Sequence, residues 1–289
     1  MSSTADRGTA EGWTVVEPPQ QQTPWHAIRK QTRNLVRSRE TLRLVFKKEL
    51  RTAFRQRVFG YFWIIVTPIF AVAAYVVLQQ SGVLATGTSS TQYVLHVLSG
   101  SLLWACISGA VAVMATSFDQ QADLVTKSAT PLITLLLGSL ATYVMGLIGS
   151  TLTLSIVCYV VTGSLHPFTF LFPLLALPMV IIGIGIGLVV AVLNSITKDF
   201  SALVLQCLVL LMFSVPVVTT RNIEHTSILG RVYERNPITP LIEFPRELML
   251  SGEAGSVSQF VISSGMAVVV LGLCIWLFDL TADLVSERV

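Results

Sequence analysis

Residues 128–197 read SATPLITLLLGSLATYVMGLIGSTLTLSIVCYVVTGSLHPFTFLFPLLALPMVIIGIGIGLVVAVLNSIT and contain no Asp, Glu, Lys or Arg. A charge at the middle of a bilayer costs about 2.5–3.5 kcal/mol on insertion scales, and a helix needs about 20 mainly apolar residues to cross. The stretch is long enough for two crossings. Gly163-Ser164 and His166-Pro167 interrupt it with turn-forming residues. Outward from it, residues 58–118, 200–220 and 254–278 are also free of charge. The first of these fits two crossings, broken around Ser81-Gly82, Gly87 and Ser89-Ser90, and the other two fit one each. The sequence therefore predicts an all-α membrane protein with six transmembrane helices, at about 61–79, 93–118, 132–162, 168–196, 200–218 and 257–278. Thr197-Lys198-Asp199 forms a tight connection between the fourth and fifth.

Composition agrees. Of 289 residues, 53% are hydrophobic and 12% charged, against about 25% charged in soluble domains. The four cysteines, Cys106, Cys158, Cys207 and Cys274, fall in four different predicted spans, none at metal-ligand spacing, and read as small packing residues. The first 22 residues are polar, with Pro18, Pro19 and a Gln20-Gln21-Gln22 run, and lack the apolar core of a signal peptide. Residues 1–28 read as a disordered tail.

Orientation follows from where Lys and Arg lie in short loops. Twelve of the 19 basic residues precede Tyr61. The loops after spans two and four hold Lys127 and Lys198, and the loops after spans one and three hold none. Both termini are expected in the cytoplasm, in a bacterial inner membrane. Segment 219–253 carries four arginines but five glutamates. Within it, Ile238–Leu250 is apolar enough to dip into a membrane yet too short to cross, so a short re-entrant helical hairpin is expected before the last span, with a plain loop as the alternative.

Before the first span, residues 29–60 read as an amphipathic interface helix. Leu42, Val45, Phe46, Leu50, Ala53 and Phe54 recur at helical spacing, and Arg43, Lys47, Lys48, Arg51 and Arg55 fill the opposite side. Such a helix anchors the chain among anionic headgroups. The alternative to plain anchoring is that it also borders an entrance for a lipid-bearing substrate.

Several function classes are excluded by what the chain lacks. None of the five lysines follows a glycine, so there is no P-loop. The four histidines are scattered and form no His-Glu-x-x-His. Gly183-Ile184-Gly185-Ile186-Gly187 lies mid-span without strand context and reads as close helix packing. Ion-coupled transporters use carboxylates inside the membrane, and the predicted spans hold none; Asp279 sits at the boundary of the last. The energy source is expected outside this chain, and no catalytic or metal-binding residues are assigned. No nucleic-acid partner is expected.

Four stretches carry a resemblance. They are Phe54-Arg55-Gln56-Arg57-Val58-Phe59-Gly60-Tyr61-Phe62-Trp63, Leu98-Ser99-Gly100-Ser101-Leu102-Leu103-Trp104, Ile196-Thr197-Lys198-Asp199-Phe200 and Asn236-Pro237-Ile238-Thr239-Pro240-Leu241-Ile242-Glu243. From about Leu42 to the C-terminus the chain resembles the permease subunit of ABC-2 type polysaccharide exporters, the group that moves O-antigens, teichoic acids and galactan. The resemblance implies a homodimer of six-span subunits enclosing a channel. It also implies two separate ATPase subunits that bind ATP and Mg, a 2+2 complex, and a lipid-linked glycan as substrate. It implies further that the connector after span two docks on the ATPase; here that connector offers Asp119, Gln120, Gln121, Asp123 and Lys127. The run Ser128-Ala129-Thr130-Pro131-Leu132 lacks the aromatic and arginine that family members often place around this proline.

By position, Tyr61, Phe62, Trp63, Trp104, Phe118 and Phe213 are candidates for a glycan channel, although interfacial Trp and Tyr occur in any membrane protein. Arg55 and Arg57 are candidates for holding a lipid diphosphate at the entrance, or for plain surface anchoring. The rival readings are an ABC-2 permease for a drug or small lipid, and a membrane scaffold that transports nothing.

Overall fold

The computed structural model describes residues 23–55, 90–120, 131–218 and 228–286, with a few isolated positions between 66 and 81. The described residues form helices and no strands: α1 (Pro24–Arg37), α2 (Arg39–Arg55), α3 (Ser90–Gln120), α4 (Leu132–Thr162), a 3₁₀ turn (Pro167–Leu171), α5 (Phe172–Leu175), α6 (Leu177–Ile196), α7 (Phe200–Leu211), α8 (Ile228–Arg235), α9 (Thr239–Ser251) and α10 (Val257–Ser286). Four apolar segments are long enough to cross a membrane: Gln92–Ser117, Leu132–Thr162, Pro167–Ile196 and Val257–Thr281. They coincide with the second, third, fourth and sixth expected spans. The first, 61–79, lies mostly outside the described residues.

The other expectations differ in detail, with physical reasons. Helix begins at Pro24, before the boundary placed at residue 28. Proline there has the φ a first turn needs and lacks an N–H that would be unpaired anyway. The expected interface helix is two helices, parted at Ser38. The fourth span is not continuous: a 3₁₀ turn and one helical turn precede α6, with Pro167, Pro173 and Pro178 each opening a segment. The fifth apolar helix ends at Ser214, short of a full crossing. Val215 is extended, with φ −130° and ψ 155°, because Pro216 behind it disfavours helical backbone at the preceding residue.

The core is a layer of three parallel helices with α6 in the middle. Two thirds of the most apolar part of α3, and of the Pro167–Ile196 segment, is buried inside the chain, against 22% in α4 and 11% in α10. The glycine run of α6 explains how the three approach. A Cβ on Gly183 would lie 2.7 Å from the Ile107 carbonyl oxygen, and one on Gly187 would lie 2.6 Å from Met114 Cβ, both on α3. Gly185 turns the other way, towards Leu271 and Cys274 of α10. The run serves close packing on two faces.

α2 lies on α4, where Val45 fits against Gly138. Val45 is buried and Leu42, Phe46 and Leu50 are half-buried, while Arg43, Lys47, Lys48 and Arg51 stay exposed. α1 docks on the last turns of α10. The bundle thus has two ends. One carries α1, α2 and the Thr197–Asp199 turn; the other carries the Gly163–Pro167 loop and the α8–α9 hairpin.

Candidate functional site

At the hairpin end, α9 packs against α3, the 3₁₀ turn and the start of α10. The turn that sets this angle is chemically specified. The Asn236 side-chain oxygen accepts from the Ile238 N–H at 2.9 Å, and its amide donates to the Ser214 carbonyl at 3.1 Å. One asparagine therefore makes the turn and ties it to the end of α7. The Tyr233 hydroxyl donates to the Phe213 carbonyl at 3.3 Å, from α8 to the same strand of chain.

Arg246 fastens the hairpin inward. It is 5% exposed. Its guanidinium donates to the Pro216 carbonyl at 2.7 Å and to the Ser99 hydroxyl at 3.3 Å. A Cβ on Gly100 would strike the guanidinium, so glycine there leaves the room the cation needs. Burial pulls the Arg246 guanidinium down to about 10, while Glu243 and Glu247 on the same helix pull it back up. It stays cationic at neutral pH. Between the hairpin and the first turns of α10 lies a cavity of about 520 Å³, reached by Tyr233, Thr239, Glu243, Gln259 and Ser263.

The α1–α2 end has its own polar ties. Asp279 of α10 is buried and pairs with Lys30 at 2.9 Å. Gln31 donates to the same oxygen at 2.6 Å. Both partners come from α1. Asn194 of α6 donates to the Ala115 carbonyl of α3 at 3.1 Å and accepts from the Ser201 N–H at 3.2 Å, so one side chain holds three helices beside the tight turn.

The candidates named from sequence are distributed as follows. Trp104 is buried in the core. Phe213 is half exposed at the end of α7. Phe118, Asp119 and Gln120 continue α3, but their side chains, like that of Arg55, lie outside the described residues. Arg57, Tyr61, Phe62, Trp63, Gln121, Asp123 and Lys127 lie outside them altogether. Sequence reasoning did not single out Arg246 or the Lys30–Asp279 pair. The signal for Arg246 was present: a lone arginine in the apolar run Ile238–Leu250 has to face the protein interior.

Residues 40–250 match the model of the ABC-2 type transporter family, from the start of α2 to the end of α9. The chain belongs to that family. This ABC-2 chain is also similar to the O-antigen export system permease protein RfbA of Klebsiella pneumoniae, 22% identical over 241 residues, which is 82% of this chain and 91% of that protein. With four apolar helices of crossing length, it is a multi-pass membrane protein and a transport subunit.

Proposed function

We propose that this chain is the permease of an exporter that moves a lipid-linked polysaccharide, such as a galactan-type envelope precursor, out of the cytoplasm. The observation that carries the reading is its similarity to an O-antigen export permease along 91% of that protein's length. Two copies form the channel, six helices each, in the inner membrane with both termini cytoplasmic. A separate ATPase pair binds ATP and Mg.

The geometry supports a route for the work. The apolar helices carry no charge between their ends, so the driving force enters from outside the membrane. The connector Asp119–Lys127 receives it from the ATPase. α2, with its exposed basic face, lies along the inner leaflet. α1 is tied to α10 through Lys30, Gln31 and Asp279, so a push on the N-terminal helices reaches the last span. The hairpin at the opposite end is re-entrant, with Arg246 buried against Ser99 of α3 while Arg231, Glu234 and Arg235 of α8 stay exposed, and it borders the exit.

The test is reconstitution with the partner ATPase. Export of the glycan is expected to stop when the ATPase's phosphate-binding lysine is replaced, with this subunit still folded. Glycan transport by this chain alone overturns the reading. A panel of amphiphiles in the same vesicles separates glycan export from drug or small-lipid export, and one-to-one co-purification with an ATPase separates both from a scaffold.

A further inference from the structure

The hairpin-end cavity of about 520 Å³ falls within the roughly 300–1,000 Å³ of small-ligand pockets. Its wall has two parts of different chemistry. The hairpin supplies Tyr233, Glu234, Arg235 and Glu243, and α10 supplies Gln259, Ile262 and Met266.

Depth separates the polar part from the apolar part. The last apolar segment starts at Val257, so Gln259 stands in its first turn, where a span meets the headgroup layer. Met266 lies about 10 Å further along the helix at 1.5 Å per residue. The apolar wall continues past the cavity. Ile262, Met266, Val269 and Leu273 recur at helical spacing on one face of α10, and all four stay exposed. The cavity therefore runs into an apolar track that leads towards the middle of the membrane.

The polar end is balanced in charge. Arg235 lines it beside Glu234 and Glu243. Glu243 also acts on the buried Arg246 guanidinium, so two carboxylates answer two cations. A purely anionic group meets no excess of cations there, and a purely cationic one no excess of carboxylates. A group that carries both signs finds an opposite charge for each. The Tyr233 ring stands among them. Its hydroxyl is tied to the Phe213 carbonyl, which fixes the ring, and a fixed aromatic face attracts an ammonium group.

We infer that this cavity seats a zwitterionic phospholipid of the hairpin-side leaflet, its ammonium among the glutamates and Tyr233, its phosphate at Arg235 and an acyl chain along the α10 track. Such a lipid bridges α8 and α10, so the bilayer itself helps to hold the hairpin against the last span. The inference needs the hairpin at a membrane face and is independent of what cargo is exported.

The experiment takes the full chain, purified in a non-ionic detergent, and titrates it with palmitoyl-oleoyl phosphatidylethanolamine or with palmitoyl-oleoyl phosphatidylglycerol, which lacks the ammonium. Native mass spectrometry counts the bound lipid. Phosphatidylethanolamine is expected to bind about tenfold more tightly than phosphatidylglycerol, and Arg235→Gln to weaken it about tenfold, equivalent to about 1.4 kcal/mol. Arg231→Gln removes the same charge from an exposed position of the same helix outside the cavity, and it should leave binding unchanged. Gln259→Trp, at an exposed position on the opposite wall, should exclude the lipid by bulk, with an unchanged circular-dichroism spectrum confirming the fold. Equal affinity for the two lipids overturns the inference, as do equal losses in the two arginine variants or full binding to Gln259→Trp. Complete displacement by glycerophosphoethanolamine, the headgroup without acyl chains, overturns it too, since the site would then take a soluble molecule. No readout involves transport, so failure here leaves the export reading standing, and failure of the export assay leaves this site standing.

Discussion

An arginine withdrawn from water has to recover its hydrogen bonds from the protein. Arg246 does so from groups 30 and 147 residues away along the chain, Pro216 and Ser99. Replacing it by methionine is expected to destabilise the protein by about 2 kcal/mol, the usual range for hydrogen bonds to a charged group. Gly100→Ala displaces the same guanidinium, so the double variant should lose less than the sum of the two. Denaturation in detergent, read as a double-mutant cycle, checks this; strictly additive losses would mean that Gly100 acts independently of the cation. Asn194 is the counterpart at the other end of the bundle. Asn194→Leu removes both of its bonds and should cost about 1–2 kcal/mol. Tyr143→Phe, which removes only the hydroxyl's bond to the Cys106 carbonyl, should cost about 0.6 kcal/mol, typical of hydrogen bonds between helices in membranes.

At the scale of helices, the spacing between α3, α6 and α10 is set by glycines that the sequence already marked as packing residues. Gly183→Ala and Gly187→Ala insert a methyl where α3 is closer than van der Waals contact allows. Each is expected to destabilise by about 1–3 kcal/mol. Gly146 and Gly265 have nothing within 4 Å of the added carbon. Alanine there should be neutral or stabilise by up to about 1 kcal/mol through helix propensity. Parallel melting of the four variants decides it, and equal losses at all four would remove the packing account. α1 is held mainly through Asp279, whose carboxylate is buried while Lys30 is 39% exposed. Lys30→Met leaves that carboxylate buried without its cation. Limited proteolysis should then cut within residues 24–37 at rates at least several-fold above the unaltered chain, while α3 and α6 stay protected.

Across the whole molecule, the outward faces are apolar. Val144, Ile148, Leu152, Ile156 and Val160 make an exposed stripe along α4, and Val261, Val268, Leu273 and Leu280 expose apolar surface on α10. Facing hydrocarbon, such a stripe is at rest; facing water, it would drive aggregation. Ile148→Arg is expected to cost about 2.5–3.5 kcal/mol of insertion free energy and to lower the yield of membrane-inserted protein. Ile148→Leu is expected to be silent, and fractionation of membranes against inclusion material measures both.

How much was legible follows from the physics of each feature. Charge exclusion is written residue by residue, so the crossings at 93–118, 132–162 and 257–278 could be read directly, and so could the glycine run and the exposed basic face of α2. Breaks inside an apolar stretch were harder. The turn at His166-Pro167 was read, but the breaks before the segments opened by Pro173 and Pro178, and the extended Val215 before Pro216, were not, because hydropathy does not register them. Pairings over long separations, Arg246 with Ser99 or Lys30 with Asp279, leave no local trace at all.

The amino-acid order by itself determined that this is a helical membrane protein, because bilayer solvation acts on each segment independently. Which helix lies in the middle, where the hairpin is pinned and that a cavity opens beside Thr239 were decided only in three dimensions. Those features depend on which side chains meet once the helices have packed, and one chain's local pattern is compatible with many packings.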